Sequence, residues 1–158
     1  MNILVTGSQG GIGSRLVQKL LDGGHSICTV DQKAAPKGTA WEHHPGDIRD
    51  LALMRMVMQD IDFVFHLAAD LTDNGENQER TYTVNVQGTW NVLMACVEAG
   101  VRHLVYFSSV QALGHSNPKH TAIRFPIDDD VPSQPATPYQ ISKHAAEETC
   151  RGFTVNND

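Results

Sequence analysis

Cysteine is scarce in this sequence, basic residues are never clustered, and no long apolar run occurs. Each shortage removes a class of protein. The cysteines number three, Cys28, Cys96 and Cys150, odd in count and widely separated, so no disulfide framework is implied. Lysine and arginine total 12 against 18 aspartates and glutamates, a formal charge of −6, and no stretch gathers enough of them to meet a row of phosphates. Binding to nucleic acid or to an anionic membrane is therefore not expected. No apolar run approaches the ~20 residues that a membrane helix requires. Met1-Asn2 leads straight into an apolar strand, without the segments of a signal peptide, so a cytoplasmic location is expected. Internal repeats and low-complexity segments are also missing. What remains is an ordinary globular composition, 41% apolar and 19% charged, which fits one domain burying roughly 70% of its unfolded surface.

The hydrophobic pattern alternates between short runs and helical stripes. Asn2–Val5 reads as a strand, followed by a glycine-rich turn at 7–13 and a helix carrying Ile12, Leu16 and Leu20, stopped by Gly23-Gly24. Ile27–Val30, ending at Asp31, reads as a second strand and Trp41–His43 as a short third. Leu51–Met58 is helical, with Met54, Met56 and Met58 expected to fill core. Asp62–His66 is a fourth strand. A single long helix is expected over Glu79–Ala99, with Val86, Trp90, Leu93 and Val97 as its apolar stripe and Gly100 as its stop. Leu104–Phe107 reads as a buried fifth strand. Residues 114–136, holding Pro118, Pro126, Pro132 and Pro135, form a long irregular segment suited to a functional loop. Thr137-Pro138-Tyr139-Gln140 is a capping box, and the helix it opens is expected to end near Arg151 at Gly152. Strands alternating with helices call for an α/β fold with a parallel sheet and right-handed crossovers; the family resemblance given below implies a Rossmann-type, doubly wound sheet of about five strands in the order 3-2-1-4-5.

The glycine turn, VTGSQGGIG, lies where a strand meets a helix, and that context gives it a mechanism. Gly7 permits the tight turn, Gly10 lets backbone approach a pyrophosphate, and Gly13 lets helix pack on strand. The free N–H groups and positive dipole of the helix start favour phosphate. Asp31 ends the second strand, where an acid accepts hydrogen bonds from a ribose diol and repels a 2′-phosphate, so NAD is favoured over NADP. Lys33, two residues on, softens that repulsion.

These residues belong to a longer series: TGSQGGIG (6–13), Asp31, GDIRD (46–50), HLAA (66–69), NVQGT (85–89), FSSVQALG (107–114) and YQISK (139–143). In order and content the series resembles the extended short-chain dehydrogenase/reductase superfamily, in its NAD-dependent epimerase/dehydratase branch. The resemblance implies NAD as cofactor and Ser109, Tyr139 and Lys143 as the catalytic residues. It implies cofactor contacts at Gly7, Gln9, Gly10, Gly11, Ile12, Gly13, Asp31, Asp47, Ile48, Leu67, Ala68, Ala69 and Asn85, besides Tyr139 and Lys143. Asp47 and Ile48 would lie by the adenine, and Asn85 would support the backbone and a proton relay. It further implies a sugar or nucleotide-sugar hydroxyl as substrate, and a homodimer through the helices at 79–99 and 138–151, with Ile141, Ala145 and Ala146 as contacts. The chemistry supports these types independently. Tyrosine's ordinary pKa of about 10 is too high for a base at neutral pH. A lysine one helical turn away, within about 6 Å, lowers it. Ser109 would hydrogen-bond a developing carbonyl oxygen.

Other constellations carry less. The eight histidines include no i,i+4 pair, and neighbouring His43 and His44 point in opposite directions on a strand, so no metal site is expected. Asp128–Asp130 reads as a solvated run, Cys150 as packing, and Ser108 as closing its strand. Relatives in the family commonly carry Tyr-Gly where this sequence has Leu113-Gly114, and commonly run to about twice its length. The chain is therefore expected to be one NAD(P)-binding domain, 1–158, without the substrate domain that follows in relatives. A nucleotide-binding module with little or no turnover, or a fragment of a longer enzyme, stands as the alternative.

Overall fold

Among the described residues, five short strands form one parallel sheet in the order β3-β2-β1-β4-β5, the expected Rossmann arrangement. In this computed structural model, which describes residues 1–73, 76–114 and 126–157, the strands are β1 (Asn2–Thr6), β2 (Ser26–Asp31), β3 (Glu42–Pro45), β4 (Phe63–His66) and β5 (Leu104–Tyr106). The helices are α1 (Gly13–Asp22), α2 (Leu51–Val57), α3 (Gln78–Tyr82), α4 (Gly88–Ala99) and α5 (Pro138–Asn157). β1 is central and pairs with both β2 and β4.

Alternation along β1 divides the core. Ile3 and Val5 face Val17 and the leucines of α1, while Leu4 packs with Cys28, Val30 and Val64 against Met54 and Met58 from α2 and its end and Val92 and Ala95 from α4. Each fully buried valine, leucine, isoleucine or methionine among them contributes about 1.5–3 kcal/mol. Met54 and Met58 fill core as expected, but Met56 is 53% exposed, because it lies on the outer face of a short helix.

Two helices differ from their expected form. The long helix begins at Gln78 and is interrupted by a π-helical turn, Thr83–Gln87, before α4 resumes. Its buried side is made of Gly88, Thr89, Asn91, Val92, Leu93, Ala95 and Cys96, so Leu93 of the expected stripe faces the core, whereas Trp90 and Val97 are about half exposed. A Cβ on Gly88 would lie 2.5 Å from the end of the Ile48 side chain, which would have to move aside, so this turn of the helix sits close against Ile48. The closing helix runs past Gly152 to Asn157. Phe153 sets its ring edge-on against Trp90 at 4.8 Å, which offsets the cost of about 1 kcal/mol for a helical glycine.

Smaller shifts are local. β3 lies one or two residues later than expected, and β5 ends at Tyr106 rather than Phe107. The capping box forms: Thr137 Oγ1 accepts from the Gln140 N–H, and Gln140 Oε1 accepts from the Ala136 and Thr137 N–H groups. Of the irregular segment, residues 115–125, with Pro118, lie outside the described residues. Its later part crosses back over the short 3-10 turn Val110–Leu113, with Gln134 donating its N–H to the Leu113 carbonyl at 3.1 Å.

Candidate active site

The turn after β1 is built so that only glycine fits at its first position. Gly7 has φ of +71°, and a Cβ there would lie 2.6 Å from the Ala68 nitrogen, so the turn lies directly on the segment that follows β4. At Gly13 a Cβ would run into the Gly7 carbonyl, which lets α1 start hard against the strand end. Asp31 then braces the turn from the neighbouring strand. Its Oδ2 accepts from the Gln9 N–H at 2.9 Å and its Oδ1 from the Lys33 N–H at 2.9 Å. Each carboxylate oxygen keeps further lone pairs for a ligand.

The segment after β4 is fixed by a buried chain of hydrogen bonds. Thr89 spends its hydroxyl proton on the Asn85 carbonyl at 2.6 Å, so at 3.0 Å it accepts from His66 Nε2. His66 Nδ1 therefore accepts from the Thr6 hydroxyl at 2.6 Å, and Thr6 in turn accepts from the Ala68 N–H at 3.2 Å. Complete burial, with a smaller contribution from the charge of Lys143, pushes the His66 pKa down to about 3, so the ring is neutral. Asn85 holds the next residue: its Oδ1 accepts from the Asp70 N–H at 2.7 Å, and its Nδ2 donates to the Asp70 carbonyl and to Ser142 Oγ. The Asp70 carboxylate pairs with Arg80 at 2.9 Å.

These elements enclose an open cleft of about 880 Å³ along the carboxyl ends of the strands, where ligands of open α/β sheets sit. The turn residues expected to meet a cofactor (7 and 9–13) border it, as do Asp31, Ile48 and Leu67–Ala69. Ser109, Tyr139 and Lys143 border the same cleft. Two expected residues do not. Asn85 is buried behind the wall it supports, and Asp47 pairs with Arg49 at 2.7 Å while accepting from Gln32, so Arg49 holds its carboxyl below the usual range. The cleft also takes in Arg15, Arg80 and Phe107, which sequence reasoning missed. Arg80 had no signal, since its place depends on the start of α3 packing beside Asp70.

Of the three residues expected to be catalytic, Tyr139 occupies the first turn of α5, its N–H donated to Asp73 at 3.3 Å. Lys143 is 2% exposed. Its ammonium donates to the Phe107 carbonyl at 2.7 Å and lies 4.1 Å over the Tyr106 ring. Burial pushes its pKa down to about 8 against the opposing pull of Glu147 and Cys150. Ser109 Oγ accepts from the Gln111 N–H at 3.2 Å, and Ser108, on the cleft wall, donates to Glu147. Burial keeps the Cys150 thiol protonated, its pKa raised to about 11.

Comparison with known proteins agrees with this geometry. The NAD dependent epimerase/dehydratase family matches the chain over residues 3–158. A UDP-glucose 4-epimerase of Streptomyces lividans is 34% identical over 94% of the chain and 46% of its own length. Sterol demethylase protein B of Methylococcus capsulatus is 30% identical over 98% of the chain and 49% of its own. Among solved structures, the UDP-glucose 4-epimerase of Thermotoga maritima with UDP-glucose superposes with a TM-score of 0.88 at 27% identity, over 99% of the chain and 52% of that one. The Bordetella bronchiseptica enzyme WbmG in complex with NAD gives 0.84 at 31% identity, over 100% and 50%. The chain thus spans about half the length of the curated relatives it matches. By a match that runs from the first strand to the last helix, it belongs to the NAD-dependent epimerase/dehydratase family.

Proposed function

We propose that the cleft holds NAD and that Ser109, Tyr139 and Lys143 act beside it on a hydroxyl of a sugar or nucleotide sugar. The observation that carries this reading is that the glycine turn, the braced Asp31 carboxylate and all three reacting residues share one cleft. A Cβ-free approach at Gly7 and Gly13 and a carboxylate at the end of β2 fit a dinucleotide. Backbone at the turn and the start of α1 would hold the pyrophosphate, Asp31 a ribose diol, and Ile48 the adenine. When bound, NAD supplies the hydride acceptor. Tyr139 takes the proton of the substrate hydroxyl at its phenolic oxygen, Ser109 donates to the oxygen as it becomes a carbonyl, and Lys143, one turn from Tyr139, supplies positive charge. Nucleotide sugars are favoured because relatives of this chain are UDP-glucose 4-epimerases.

A second reading, a nucleotide-binding module without turnover of its own or a piece of a longer enzyme, is supported by the coverage of half the relatives' length. The two separate experimentally. Calorimetric titration is expected to show NAD bound more tightly than NADP, with the gap narrowed in Asp31→Ala; equal or tighter NADP binding removes the Asp31 assignment. A screen of NAD reduction and nucleotide-sugar epimerisation beside Tyr139→Phe then decides turnover. Activity lost in the mutant with NAD affinity kept supports the enzyme, and NAD binding without activity supports the module.

Pairing of two copies belongs to the same proposal. Tyr82, Trp90, Val97 and Ile141 are exposed on the helices concerned, while Ala146 is fully buried and takes no part. Sedimentation at micromolar concentration is expected to give a species of twice the 17.3 kDa chain mass; a monomer alone counts against it.

A further inference from the structure

The edge of the sheet away from the reacting residues gathers three metal-ligating side chains that spacing along the chain does not announce. β2 and β3 pair in parallel with Cys28 opposite Glu42 and Val30 opposite His44. Glu42 and His44 are two residues apart on one strand, so both project to the same face as Cys28. One ligand atom from each lies within 4.8 Å of the other two. His44 Nε2 and Glu42 Oε1 are 2.8 Å apart. The cysteine is buried, the histidine side chain is 24% exposed and the glutamate 68%, so the cluster opens outward at the sheet edge.

From this geometry we propose that Cys28, Glu42 and His44 form a binding site for a thiophilic divalent cation, Zn²⁺ by preference, with a fourth position left to water. Thiolate, imidazole and carboxylate are the ligand types zinc takes, at about 2.0–2.3 Å each. Atoms on a tetrahedron of that size lie roughly 3–4 Å apart, inside the spread observed. Cysteine binds such an ion as thiolate, so one proton leaves Cys28 for each ion bound. The ion would clip edge strand β3 to β2 just before Gly46, whose N–H donates to the Asp31 carbonyl at 2.9 Å. His43 takes no part. It faces the other way, held by Thr29 and the Lys33 carbonyl. The site does not depend on the cofactor reading.

The test uses the 158-residue chain, reduced and stripped of metal, titrated with Co²⁺ and followed by absorbance. A thiolate-to-cobalt charge-transfer band saturating at one ion per chain is expected, abolished by Zn²⁺ competition and by Cys28→Ser. His44→Gln and Glu42→Gln, whose side chains are partly exposed and outside the core, are expected to weaken binding about tenfold or more. His43→Gln and Cys150→Ser are expected to leave it unchanged. Zn²⁺ should raise the unfolding temperature of the parent chain but not of His44→Gln. The proposal is overturned if no band appears, if the band survives Cys28→Ser, or if it follows Cys150 or His43 instead. The His44–Glu42 contact is then an edge-strand ion pair and nothing more.

Discussion

The central glycine turn and the β5 edge of this molecule are built on opposite terms. At the turn, β1 lies between two partner strands, Gly7 touches the Ala68 backbone, and Thr6, His66, Thr89 and Asn85 answer one another's hydrogen bonds in turn. At the edge, β5 pairs with β4 alone among the described residues, and Val105 is 40% exposed. There the buried Tyr106 hydroxyl and His144 Nδ1 have no hydrogen-bond partner among the described residues, and a buried lysine ammonium leans on one carbonyl and one aromatic face. The turn satisfies its polar groups among neighbouring strands and the helix behind them. The edge leaves groups unanswered, and each such group costs roughly 1–3 kcal/mol.

The comparison is tested hardest at Gly7. Gly7→Ala is expected to destabilise by more than about 2 kcal/mol, from the left-handed backbone and the collision with Ala68. A loss of less than about 0.5 kcal/mol in urea unfolding would mean that the turn is not packed as described. His66 carries an effect that is small at neutral pH and grows as the solution is acidified. The folded ring stays neutral to about pH 3 while the unfolded one protonates at its ordinary 6.5. As pH falls through that window, stability drops by up to about 1.4 kcal/mol per unit. His66→Gln lacks this contribution, so its stability should decline less steeply as pH falls from 6.5 toward 3; parallel curves would refute the buried neutral imidazole.

At the edge the group is a cation, and its effect lies at the alkaline end. Lys143 has a folded pKa lowered from 10.5 to about 8, so its burial as a cation costs stability below pH 8. That cost is relieved as pH rises toward 10.5, because the folded chain releases a proton the unfolded chain still holds. Stability of the parent relative to Lys143→Met should therefore rise between those two values. A flat difference would show that the ammonium is solvated. The smallest effect is a gain. A Cβ added at Gly152 would meet no atom within 4 Å, and the residue lies inside α5, so Gly152→Ala should stabilise by about 1 kcal/mol. A loss there would place the helix end at Arg151 after all.

How much of this was written in the sequence depends on how local the cause is. The glycine turn, Asp31 at the strand end and the capping box of the last helix follow from periodicity and from residues acting on their immediate neighbours, whereas the strand order came with the family resemblance. Even the family could be read from motifs in series. Where causes are distant the sequence was silent or misleading. Leu93 of the apolar stripe faced the core but Trp90 and Val97 pointed outward, with Gly88 and Thr89 facing Ile48 and His66 instead. Gly152 failed to end its helix, because Phe153 meets Trp90 from another element. Arg80 entered the cleft through its pairing with Asp70, and Asn85 acted from behind the wall. Cys28, Glu42 and His44 met only because two parallel strands fixed their register. Composition and spacing determined which elements form and where the glycine turn falls, since both are set within a few residues. Burial and cross-strand contact decided which side chains share a site, since these arise only when segments far apart in the chain are brought together.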